Sequence, residues 1–272
     1  MSVEEYAQTM LGRILEIGQQ QTEPVSERML QICSQAFRFY YQAVLRTKLV
    51  KGTDFFVHHG PFSGLRLASD FLPMLVGSYE AELHATIQAF TRRGYDRVVN
   101  IGCGDGYYAV GLARLLPSAR VFALDSDQAA QTFCRSTVER NGMAARVIVL
   151  GECTPAILQD LACPGTLIFC DCEGGELKLL DPDAVPILSH CDILVEMHDF
   201  LGPDTSSILQ TRFRSTHTTT IIPPSGRDLS AYPILESFSE FDRVFALCEF
   251  RPGPTPWGLF LSNATRPSGQ RD

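Results

Sequence analysis

The chain has 272 residues, 45% of them hydrophobic and 20% charged, with a formal net charge of −8 at pH 7. That balance suits a chain with one substantial core and an appendage, and it excludes a disordered or fibrous one. The acidity, without a lysine–arginine cluster, argues against a nucleic-acid partner, and the lack of any apolar run of membrane length argues against a membrane one.

The start, MSVEEYAQTM, is acidic rather than signal-like, so a cytoplasmic protein is expected. Nine cysteines, an odd count without C-x-x-C pairs, fit small buried hydrophobes in a reducing compartment better than disulfides or structural zinc. Cys170 and Cys172, two apart on a strand, share a face and raise a redox or metal role.

Residues 1–70 read as a helical appendage with a cover loop. Apolar residues recur at helical spacing from Met1 to Gln21 and from Glu23 to Val50, the second through Leu30, Cys33, Phe37, Tyr40, Tyr41 and Val44, with Pro24 near its start. Two helices cannot cover so many rings by themselves. The appendage is therefore expected to pack on the main domain or on the second copy of a homodimer. Thr53 to His58 reads as a strand, and GPFSG, Gly60 to Gly64, as a turn cluster. Residues 71–264 read as the main domain, opened by one helix through MLVGSYEAELHATIQAF, and residues 265–272 as a disordered tail.

Val98 to Ala113, VVNIGCGDGYYAVGLA, reads as a buried parallel strand, a tight loop and a helix. Gly102, Gly104 and Gly106 lie two apart, removing Cβ atoms where the backbone turns sharply and meets a ligand. A dinucleotide loop would need its third glycine at Tyr107, which disfavours a nicotinamide oxidoreductase. The next strand, Arg120 to Leu124, ends in Asp125, at the interval where open α/β sheets place a ribose-binding carboxylate; Asp127 better suits a helix N-cap.

The alternation continues as helix Ala129–Asn141, strand Arg146–Leu150, helix Pro155–Leu161, and strands Thr166–Asp171 and Ile193–Met197. Such β-α-β repetition predicts an α/β fold with a doubly wound, mostly parallel sheet. Arg243–Phe250 and Trp257–Ser262, joined by RPGPTP, read as a closing antiparallel hairpin.

Ligands of open α/β sheets collect at the carboxyl ends of the strands. There the chain offers Gly151 and Glu152, then DCEGGE from Asp171 to Glu176, then VEMHDF with Glu196, His198 and Asp199. Acids this dense repel one another unless a proton, a cation or a substrate donor neutralises them. Alternation puts Glu196 and His198 on one face. His217, His58 and His59 are further candidates for the same mouth, the latter two flanking GPFSG.

The G-x-G-x-G loop resembles the first motif of class I S-adenosylmethionine (SAM) methyltransferases. With GSYEAEL, DCEGGE followed by LKLL, and ILVEMHDF, the stretch from roughly Phe56 to Phe213 resembles the FkbM-like family of those enzymes, D-x-E-G-x-E being its most specific element. The resemblance implies a Rossmann-like fold, SAM as cofactor, and methyl transfer to a hydroxyl oxygen of a small molecule, sugar or natural product. It also implies cofactor contacts from Gly102, Gly104, Gly106, Asp125, Glu152 and Asp171. Asn100 stands where the family carries an acid, which shifts the methionine contact toward Glu80 or backbone groups.

Methylating a hydroxyl requires in-line placement and loss of its proton. His198 is the natural base, with Asp171 and Glu196 beside it. The same three residues could instead hold a divalent cation that lowers the hydroxyl pKa. Two other readings are a peptide or protein side-chain methyltransferase docking through the helices, and a silent SAM-binding interaction protein. A buried acid cluster speaks against the second. Acceptor choice is expected from the appendage and from loops such as Gly202–Thr205 and Pro223–Tyr232.

Overall fold

The computed structural model describes residues 3–20, 23–50, 55–202, 204–251 and 253–264. Among the described residues nine strands follow in chain order: β1 (Phe55–Phe56), β2 (Arg66–Leu67), β3 (Arg97–Ile101), β4 (Arg120–Leu124), β5 (Val147–Leu150), β6 (Leu167–Cys170), β7 (Asp192–Glu196), β8 (His217–Ile222) and β9 (Trp257–Ser262). β1 and β2 pair antiparallel. Thr53 and Asp54 of the expected strand and the expected tail 265–272 lie outside the described residues.

The other seven strands form one sheet in the order β5-β4-β3-β6-β7-β9-β8. β3 to β7 run parallel, in register Val99–Phe122 and Val99–Ile168, and β9 runs antiparallel between β7 and β8. The chain leaves β3 toward β4 on one side and later returns to place β6 on the other. That reversal opens a crevice at the carboxyl ends of β3 and β6, where ligands of doubly wound sheets bind.

Apolar β-branched runs build these strands because both faces are covered. Val99, Ile101, Ile168, Ile193 and Val195 are fully or nearly fully buried with Leu158, Leu209 and Phe213 in one cluster. Each such side chain contributes about 1.5–3 kcal/mol. Tyr108, Phe169 and Trp257 pack together in the core, with ring centroids 4.1 Å (Tyr108–Phe169) and 5.1 Å (Phe169–Trp257) apart.

The chain divides into two compact units, one of Met1–Asp54 with Asp228–Cys248 and one of Phe55–Arg227 with Glu249–Asp272. The first break therefore falls at Asp54 rather than near residue 70, and residues 228–248 join the helices. In the helical unit, Val3–Gln19 and Val25–Phe39 are helices, the second running on through a π-helical turn, Tyr40–Leu45, to Leu49. Phe37 stacks on Phe245 with centroids 4.9 Å apart, and Lys48 pairs with the buried Asp242 at 2.7 Å. Leu30 and Cys33 of the expected periodic run are exposed, Leu30 by 71%.

Two other expectations are corrected. The helix expected from Leu72 breaks, because Gly77 takes φ +85 and closes Leu72–Val76, and Glu80 itself sits at φ +48. The chain resumes as helix His84–Arg93 after a 3-10 turn. The closing antiparallel pair exists, but the partner of Trp257–Ser262 is HTTTII of β8. Arg243 to Ala246 instead end a helix, Glu240–Ala246, whose first turn is capped by the Ser239 hydroxyl accepting from the Asp242 amide at 3.2 Å.

Candidate active site

Two clefts open at the carboxyl edge of the sheet and share Asp171 and Glu173 as a common wall. The first, about 400 Å3, is lined by Gly102, Gly104, Asp125, Glu152, Cys153 and Lys178 among others. The second, about 190 Å3, is lined by Tyr79, Glu80, Glu196, His198, Glu249 and Arg251, with Phe200 and Phe250 among the remaining lining residues.

The first cleft is shaped by the glycine loop. Gly102 takes φ +75, its amide donates to Leu124 O at 2.8 Å, and a Cβ there would run into the Asp171 carbonyl. Gly104, at φ +51, has nothing within 4 Å of where its Cβ would stand. The loop is thus pressed against the end of β6 at Gly102 and bare toward the cleft at Gly104. Gly106 differs from expectation. At φ +90 it faces Cys134, 3.1 Å from where its Cβ would stand, so it seats the helix Gln128–Arg140 and does not line the cleft.

Asp125 closes the loop at β4. One carboxylate oxygen accepts the Gly104 amide and the other the Asp127 amide, both at 2.9 Å. Asp127 is the helix cap, accepting from Ala129 N at 2.9 Å. The size of the cleft suits a nucleoside-sized ligand. Its bare glycine backbone, the Asp125 carboxylate at one side and Glu152 beyond β5 fit the ribose and base of SAM. Asn100 lines neither cleft. It is fully buried, with its amide nitrogen 3.5 Å from Phe169 O and its Oδ1 without a hydrogen-bond partner.

The second cleft gathers acids from four stretches of the sequence, Glu80, Asp171 with Glu173, Glu196, and Glu249. Glu80 accepts from Tyr108 and, at 2.7 Å, from Arg251. Arg251 also donates to Glu196 and, through Nε, to Glu249 at 2.8 Å. Arg227 holds the far side of Glu249 at 2.5 Å and Glu82 at 2.8 Å. Burial and the Glu196 charge raise the Glu80 carboxyl to about 8. Burial, together with the charges of Glu196 and Glu80, likewise pushes Asp171 well above the usual carboxylate range. Burial opposes ionisation of Glu196 too, but hydrogen bonds from His198 and Asp171 and the Arg251 charge win and draw it down to about 2.

His198 lies between these groups. Nδ1 is 2.8 Å from Glu176 Oε1 and Nε2 is 3.1 Å from Glu196 Oε2, with Asp171 and Glu173 oxygens at 3.7 and 3.6 Å. Burial lowers its pKa, but the hydrogen bonds to Glu176 and Glu196 outweigh it and push the ring up to about 11. Both ring nitrogens thus face carboxylates, which favours the imidazolium over the neutral base read from the sequence. Ligand atoms of Asp171, Glu196 and His198 lie within 4.8 Å of one another, a spacing that could hold a metal ion.

Several sequence candidates fall elsewhere. His217 is buried at the start of β8, its Nε2 2.9 Å from Cys191 O, which precedes β7. That is the amino end of β7, opposite the clefts. Asp199 accepts from the Ser206 amide and hydroxyl at 2.8 and 2.6 Å near the helix Thr205–Phe213. The GPFSG loop packs Phe62 against Tyr107 and Tyr108, at 5.0 and 5.8 Å between centroids. All nine cysteines are free, and the Cys170 and Cys172 sulfurs lie 3.6 Å apart. Arg251, Glu249 and Arg227 were not read from the sequence. The one signal, for Glu249 and Arg251, was an arginine two residues after a glutamate at the RPGPTP turn, which a hairpin reading absorbs as a solvated loop.

Residues 83–155 match the family model described as methyltransferase small domain. Over 54 residues the chain is 43% identical to the release factor glutamine methyltransferase of Gloeobacter violaceus, a match covering 20% of this chain and 19% of that one. It thus spans about a fifth of that relative's length. The O-methyltransferase TomG of Streptomyces achromogenes, solved with SAM, superposes with a TM-score of 0.48 and 16% identity over 73% of this chain and 92% of its own. An O-methyltransferase of Bacillus cereus solved with SAH gives 0.46 and 16% over 65% and 79%. The sheet described above, mostly parallel with an antiparallel pair at one edge, is a doubly wound, Rossmann-like α/β sheet. Among the described residues no helix is long and apolar enough to cross a membrane.

Proposed function

We propose that the protein is a SAM-dependent methyltransferase of the FkbM-like type that modifies a hydroxyl oxygen of a small acceptor. The observation that carries this reading is the shared wall. Asp171 borders both the glycine-loop cleft and the acidic cleft, so a cofactor in one and an acceptor in the other would meet at its carboxyl group.

When bound, SAM supplies the methyl group, the carbon–sulfur electron pair remaining on sulfur. Gly102 and Gly104 let the cofactor lie on bare backbone, and Asp125 offers oxygens to its ribose hydroxyls. The acceptor proton goes to Asp171 in those molecules in which it has given up the proton it otherwise donates to Glu196. Its raised pKa makes it a stronger base than an ordinary carboxylate, and it lies where the clefts meet. His198 and Arg251 keep Glu196 ionised beside it. The imidazolium thus acts as a fixed positive charge and not as the proton acceptor.

Calorimetric titration with S-adenosylhomocysteine, with NADH as control, tests the cofactor half. Micromolar binding that disappears in Asp125→Ala is expected. Preference for NADH, or no binding, removes the methyltransferase reading. An acceptor screen with labelled SAM then tests transfer to oxygen, and exclusive labelling of amides or peptides would reject it.

A further inference from the structure

Two apolar stripes of the helical unit face solvent. Along Val25–Phe39 the side chains of Val25, Met29, Cys33 and Phe37 stand at every fourth position, all exposed, Val25 by 66%, Met29 by 52% and Phe37 by 46%. Along Val3–Gln19, Leu11 and Leu15 repeat the spacing at 51% and 56%. The two helices pack antiparallel, with Tyr6 stacked on Phe39 at 5.9 Å and the Arg28 guanidinium donating to Gly18 O at 2.7 Å. Leu11 and Leu15 each follow by one position a residue turned toward the seam, the buried Met10 and the half-buried Ile14. Met29 and Cys33 likewise follow the half-buried Arg28 and Ile32. In an antiparallel pair that shared turn of about 100° brings both stripes to the same side.

The resulting face is complementary to itself. Laid against a second copy about a two-fold axis at Gln31, Met29 meets the partner's Cys33 and Val25 meets the partner's Phe37, a larger side chain against a smaller one each time. The stack of Tyr6 on Phe39 sets Arg13, midway between Leu11 and Leu15, level with Ile32, so the same axis brings Leu11 to the partner's Leu15. No charged residue stands within either stripe, so two chains of net charge −8 can meet there without opposing like charges. At roughly half exposure the six side chains offer about 600 Å2 a copy, and Leu30 at their edge with the polar rim brings this close to the roughly 800 Å2 that each partner of a standard interface buries. Residues 265–272, TRPSGQRD, hold no large apolar side chain to cover the face instead.

We propose that the helical unit pairs two copies of the chain across this face, the Val25–Phe39 helices of the two copies lying antiparallel over one another.

Sedimentation velocity of the full chain at micromolar concentration should give twice the 30.1 kDa mass of one chain. Met29→Glu and Cys33→Lys each place a charge against an apolar partner surface at an exposed position. Each should weaken pairing by about a hundredfold while leaving the circular dichroism spectrum unchanged. An equal mixture of the two variants should dimerise again, because one carboxylate then faces one ammonium across the axis while the other Met29–Cys33 contact stays native. A monomeric wild type overturns the proposal, and its sedimentation with phosphatidylcholine vesicles would assign the face to a membrane surface. A dimer untouched by either substitution places the contact elsewhere, and variants that stay monomeric when mixed exclude this register; either result overturns the proposal.

Discussion

Nδ1 of His198 lies 2.8 Å from Oε1 of Glu176, and that contact fixes which nitrogen of the ring faces the clefts. The same Glu176 oxygen lies 3.2 Å from the Gly174 amide and 3.4 Å from the Cys172 amide, so one carboxylate ties the ring to the D-x-E-G-x-E turn. Glu176→Gln keeps an acceptor oxygen but removes the charge. His198 should then titrate well below its present value of about 11, back toward the ordinary imidazole range. Nitrogen-15 NMR of the ring through a pH series reads this directly, and an unchanged titration would show that Glu196 alone sets the charge.

Stability should decline as pH rises from about 6.5 to 8. His198 is raised to about 11, so its contribution is complete below the unfolded value of 6.5 and fades as the unfolded chain alone gives up the proton. Glu80 is raised to about 8 from 4.5, so it too favours the folded state less with each step of pH through that window. Each proton held by the folded chain alone adds about 1.4 kcal/mol per pH unit to the slope. Glu196, lowered to about 2, works in the opposite window, losing its contribution as pH falls from 4.5 through 2. Urea midpoints across pH 6 to 9 should show the decline, and His198→Gln should flatten it.

Asp125 and Asp127 are two residues apart and have different roles. Asp127→Ala removes a helix cap and should cost about 1 kcal/mol without changing affinity for S-adenosylhomocysteine. Asp125→Ala removes the carboxylate that faces the cleft and braces Gly104, and affinity should fall by at least tenfold. Equal affinities in the two variants would mean that Asp125 is a loop brace alone.

The parts of this arrangement legible in sequence are those that local chemistry dictates. β3 follows from its β-branched run, β4 from a short apolar run, and the bend at Gly102 from the lack of a Cβ. Asp127 as a cap and Asp125 as a cleft acid separate by position alone. What sequence could not supply was long-range. Arg251 meets Glu80 across 171 positions, and no local pattern announces that pairing. The break at Gly77, which takes Glu80 out of helical conformation, was hidden by good helix formers on either side. His198 read as a base because Glu176 Oε1, 22 residues earlier in the chain, could not be seen beside its ring.

Asp171, Glu196 and His198 have the spacing of metal ligands, yet a cation there would have to displace the imidazolium proton and compete with Arg251 for Glu196. Methyl transfer is therefore expected to survive chelation undiminished. Activity abolished by EDTA and restored by magnesium or manganese would assign the three residues to a metal instead.

The glycine loop supplies the sharpest comparison. Gly102→Ala and Gly104→Ala both place a side chain at positive φ, at a cost of about 1–2 kcal/mol. At Gly104 nothing else opposes the methyl group, so the fold should persist while the cleft loses room for the cofactor. At Gly102 the methyl must also push back the Asp171 carbonyl, adding about 1–3 kcal/mol of overpacking at the residue shared by both clefts. Thermal and urea unfolding should rank Gly102→Ala well below Gly104→Ala in stability, with nucleoside binding weakened in both. Equal stabilities would mean that the end of β6 yields at little cost, and that the shared wall at Asp171 is softer than its contacts imply.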